Sequence, residues 1–170
     1  SLGGNIDFRG SSGTDLVYLL DTHSSTSRNY QIYDNRAEIR AIPETEFDPF
    51  PTVWYRESEG VEILGGTGGD QFNINSSDLN TPLTLLGRGG DDTFTIGQGD
   101  LFQEARSTLR IEGGIGTDRI TLDDQAASIR GGYVFGTETA NDGVMETTFQ
   151  KWSAFFVPFQ ACLFAFGGLA

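Results

Sequence analysis

Val61-Glu62-Ile63-Leu64-Gly65-Gly66-Thr67-Gly68-Gly69-Asp70-Gln71-Phe72-Asn73-Ile74 is the stretch from which the fold is read. Two alternating segments, Val61–Leu64 and Gln71–Ile74, flank a glycine-rich turn that closes on Asp70. Apolar residues two apart, with β-branched and aromatic side chains, predict strands rather than helices. Shifting the chain by 22 residues superposes Leu64 on Leu86, Gly65 on Gly87, Asp70 on Asp92, Phe72 on Phe94 and Ile74 on Ile96. A further shift of 26 carries Leu83 to Leu109, Leu85 to Ile111, Gly87 to Gly113, Asp92 to Asp118, Phe94 to Ile120 and Ile96 to Leu122. The four extra residues of the longer step fall in the stretch containing Leu101-Phe102-Gln103-Glu104. A fourth copy, Gly10 to Val17, opens the chain, and a shift of 103 carries Gly10, Asp15, Asp21 and Tyr30 to Gly113, Asp118, Asp124 and Tyr133.

A unit this short cannot bury its apolar side alone, but it can when stacked on its neighbour. The expected fold is therefore all-β: a right-handed parallel β-helix, or β-solenoid, with one Gly-Asp turn per coil. Phe72, Phe94 and Ile120 would form one inward column, and Ile74, Ile96 and Leu122 another. Tyr30–Tyr33, Glu38–Ile42 and Val53–Arg56 read as strands of less regular coils, with a loop over Pro43–Pro51. No amphipathic helix is expected. The chain divides into residues 1–149, a repeat domain read as a fragment of a longer array, and residues 150–170, an apolar segment. From Trp152 to Ala170, 14 of 19 residues are apolar. That segment reads as a cap or docking strand, as a marginal membrane segment, or as a poorly ordered end outside the fold.

Gly65 to Asn73 and Gly113 to Thr121 fit the nonapeptide G-G-x-G-x-D-x-U-x, where U is a large apolar residue. Gly87 to Thr95 carries Arg88, and Gly10 to Val17 carries Ser11, at the second glycine. In this the chain resembles the hemolysin-type, or RTX, calcium-binding repeat regions of large secreted and surface bacterial proteins. The resemblance covers Gly10 to about Met145. It implies Ca2+ as the cofactor, Asp15, Asp70, Asp92 and Asp118 as its ligands, an extracellular or bacterial cell-surface location, and a scaffold or adhesin role. The motifs lie 55, 22 and 26 residues apart, whereas β-roll repeats recur every nine, so the fold reads as a broader β-helix that borrows the turn.

Composition bounds the function. The 170 residues carry a net charge of −13, which disfavours nucleic acid and anionic membrane as partners. One cysteine, Cys162, excludes an intrachain disulfide and a multi-cysteine zinc site. One histidine, His23, lies in a Ser/Thr-rich stretch and reads as solvated. The turn aspartates have a structural reading beside the calcium one, because an aspartate closing a glycine turn accepts backbone N–H bonds. The doublets Asp91-Asp92 and Asp123-Asp124 could hold a carboxylate pair, but neighbours on a strand face opposite ways, so no catalytic residue is assigned. Asn75-Ser76-Ser77 matches a glycosylation sequon by pattern alone.

Three functional classes follow. The first is a structural or adhesive module that is not an enzyme and whose partners are neighbouring repeats of a longer chain. The second is a module that binds a glycan or cell-surface protein through the Phe47–Tyr55 loop. The third is a polysaccharide-active β-helix using Trp54, Tyr55 and Arg56 with Asp48.

Overall fold

The strands form where alternation is strongest, and how they are connected decides how they pair. The computed structural model describes residues 4–43, 51–127, 131–139, 145–153 and 161–164. In chain order the first strands are β1 (Ile6–Arg9), β2 (Leu16–Leu20), β3 (Arg28–Tyr33), β4 (Arg36–Ala41) and β5 (Thr52–Arg56). The repeated part follows as β6 (Gly60–Leu64), β7 (Gln71–Ile74), β8 (Leu83–Gly89), β9 (Thr93–Ile96), β10 (Leu109–Ile115) and β11 (Arg119–Leu122). A one-turn helix, α1 (Leu101–Glu104), sits between β9 and β10 and takes up the four extra residues of the longer repeat. β12 (Gly131–Thr139), β13 (Met145–Ser153) and β14 (Ala161–Phe164) come last.

Two sheets face each other across the core. The smaller runs β10-β8-β6-β2 and is wholly parallel. The larger runs β1-β5-β4-β3-β7-β9-β11. Its β3-β7-β9-β11 part is parallel, in the register that the repeats require: Tyr30, Phe72, Phe94 and Ile120 lie side by side, as do Ile32, Ile74, Ile96 and Leu122. From β6 to β11 the chain crosses from one sheet to the other at each connection, so each layer of the repeat pairs one strand of each sheet.

The expectation of a single parallel β-helix is corrected here. β4 pairs antiparallel with both β3 and β5, so the larger sheet is mixed. β12, β13 and β14 form a separate antiparallel sheet. The cause of the first departure is local. Asp34-Asn35 is the whole connection between β3 and β4, and a two-residue link joins only antiparallel neighbours, with Asn and Asp the residues that tolerate such turns. Only Glu57-Ser58-Glu59 separate β5 from β6, so the far end of the larger sheet must return to the smaller one within about 14 Å of chain.

Val61, Ile63, Leu83, Leu85, Leu109 and Ile111 from the smaller sheet meet Tyr30, Ile32, Phe72, Ile74, Phe94 and Ile96 from the larger. The rings of Tyr30 and Phe72 stack with centroids 4.7 Å apart, and those of Phe72 and Phe94 at 4.8 Å. That spacing is the strand spacing itself, so equivalent positions in successive layers must stack face to face. Among the described residues, no helix is long and apolar enough to cross a membrane. Of the apolar segment from residue 150, residues 154–160 and 165–170, and the side chain of Cys162, lie outside the described residues.

Candidate functional site

Each Gly-Asp turn has one construction. The glycine five residues before the aspartate makes room for its carboxylate. A Cβ on Gly65 would lie 2.5 Å from Asp70 Oδ2, and one on Gly87 or Gly113 would lie 2.1 Å from Oδ2 of Asp92 or Asp118. The turns of Asp70, Asp92 and Asp118 all lead from the smaller sheet to the larger, and their parallel strands place them in a column.

Within the column each carboxylate bonds to the backbone of the preceding layer. The N–H of Arg28 donates to Asp70 Oδ1 at 2.7 Å. Asp70 N–H donates to Asp92 Oδ1 at 2.7 Å, and Asp92 N–H to Asp118 Oδ1 at 3.0 Å. Asp70 Oδ2 also accepts the N–H of Gly66, in its own turn, at 3.0 Å. Asp92 Oδ2 is buried without a hydrogen-bond partner. Its turn is the one with Arg88 in place of glycine, held at φ +77°.

Burial dominates the electrostatics. Asp70 and Asp92 are each 1% exposed. Desolvation raises the Asp70 carboxyl above its ordinary value, against the N–H bonds from Gly66 and Arg28 that lower it. Asp92 is pushed up to about 7, first by desolvation and then by the carboxylates of Asp118, Asp70 and Asp91, against the Asp70 N–H.

Asp15 does not join this column. Its turn runs the other way, from β1 in the larger sheet to β2 in the smaller. The construction is nevertheless repeated there. Ser11 N–H donates to Asp15 Oδ2 at 2.7 Å, and Asp15 N–H donates to Glu59 Oε2 at 2.7 Å. Two residues of these networks escaped the sequence reading. Arg28 holds the aspartate position in the first layer, and its side chain pairs with Asp21 at 3.1 Å. Glu59 stands beside Asp15 because Leu16 pairs with Gly60. Neither follows the glycine motif; only the strand register reveals them.

The other candidates are spent locally. Asp91 Oδ1 accepts the N–H of Thr117 at 2.8 Å, and Asp124 Oδ1 that of Leu101 at 2.9 Å. Asp78 accepts from Asn80, and Asp100 from Gln103 at the start of α1. Asp123 accepts from Gln125. Tyr55 is buried, and its hydroxyl donates to the carbonyls of Tyr33 (2.6 Å) and Arg36 (3.1 Å). Trp54 and Arg56 alternate with it onto the opposite face, where the Arg56 guanidinium lies 4.7 Å from the Trp54 ring and pairs with Asp7. Asp48, with the rest of 44–50, lies outside the described residues. His23 is exposed, with Nδ1 3.1 Å from Thr22 Oγ1. Asn75 of the sequon donates to Gln31 Oε1 at 2.9 Å.

The aspartate oxygens that face the interior of the column largely accept N–H bonds, and among the described residues no group of three or more His, Cys, Asp or Glu is arranged to hold a metal ion. Asp92 Oδ2 is the buried oxygen of the column that has no donor. No family model matches the chain, and neither a curated protein nor a solved structure matches it.

Proposed function

We propose that the chain is a structural repeat module without catalytic activity, a scaffold of the kind found in extracellular or cell-surface bacterial proteins. One observation carries the reading: three of the four aspartates that the motif singles out, Asp70, Asp92 and Asp118, are turned inward to bind the backbone of the layer before. Side chains used this way join layers and leave no carboxylate pair facing a substrate. The RTX-like turns support the extracellular setting by resemblance. The test is release of reducing ends from a panel of acidic and neutral polysaccharides. No turnover is expected; turnover abolished by Asp92→Asn or Arg56→Gln would overturn the reading.

A second reading rests on Asp92. Its unpartnered oxygen, close enough to Asp70, Asp91 and Asp118 to feel their charge, gives a cation one ligand and a favourable field. In that reading Ca2+ binds weakly, because the neighbouring carboxylates are already engaged, and its effect is on stability.

A further inference from the structure

We draw no further inference here: the strongest candidate, the surface patch on β4 and β5 where the Trp54 ring lies beside the Arg36 and Arg56 guanidinium groups, carries nothing, since Arg36 is already paired with Glu38 and Arg56 with Asp7 and nothing in the structure shows what covers it.

Discussion

Arg28 stands in the first layer where Asp70 stands in the second, and its backbone N–H donates to the Asp70 carboxylate at 2.7 Å. The column of Asp70, Asp92 and Asp118 thus begins on a residue of opposite charge, whose guanidinium turns aside to Asp21. A fourth carboxylate at that position would have added repulsion where Asp70 is already desolvated. Asp70→Ala strands the N–H groups of Arg28 and Gly66 and should cost about 2–4 kcal/mol. Chemical denaturation measures it. A change within about 0.5 kcal/mol, the size typical of a neutral surface site, would remove the structural role assigned to the column.

The pH dependence should run opposite to that of an ion-paired carboxylate. Asp92 is raised to about 7 in the folded chain, from an ordinary value of 3.8. The folded state therefore holds this proton more tightly than the unfolded state does. The stabilisation is full below the unfolded value and is lost as pH rises through about 7. It amounts to no more than roughly 4 kcal/mol. Asp92→Asn mimics the protonated acid and keeps an acceptor for Asp70 N–H. It should raise stability above about pH 7 and flatten the slope between about pH 4 and 7. Denaturation midpoints of both proteins across that range decide it; parallel curves would mean Asp92 is ionised in the fold.

The ring column is an apolar contact running from layer to layer. Phe72 is fully buried between Tyr30 and Phe94. Phe72→Ala leaves a cavity and breaks two stacked pairs, and should cost about 3–5 kcal/mol. Phe72→Leu should cost less than the alanine change. Equal losses from the two variants would show that the rings contribute only through their presence and not their volume.

Gly116 tests the turn. Its φ of +147° is open to glycine, and a Cβ there would lie 2.0 Å from the carbonyl oxygen of Gly90 in the layer below. Gly116→Val should therefore destabilise by at least about 1–3 kcal/mol. The exposed Gly4, with nothing within 4 Å of its Cβ position, is the control, and Gly4→Val should be silent in the same melt.

Calcium is tested by melting against a chelator. At ten times Kd, one site stabilises by about 1.4 kcal/mol. In the calcium reading, millimolar Ca2+ raises Tm more than equal Mg2+ does, and Asp92→Asn removes most of the gain. An unchanged Tm would leave the aspartates as backbone acceptors alone.

The residues by themselves determined the strands of the repeat and their register. Period-two alternation and the 22- and 26-residue shifts already place Phe72 beside Phe94 and Leu85 beside Ile111, because parallel strands in layers of similar length can pair only at equivalent positions. The inserted residues of the longer step were legible too, although not as α1, since one helical turn is too short to show a period. What only the tertiary structure decided is where the chain reverses and what the aspartates bind. Asp34-Asn35 turns β4 back on β3 and makes the larger sheet mixed, a signal two residues long that the repeat pattern overrode. Asp15 repeats the motif of Asp70 yet lies at the opposite connection, because the motif encodes a turn and not the sheet from which the turn departs. Arg28 and Glu59 have no motif at all. They meet the aspartates only because strand register carries them there across more than 40 residues of chain.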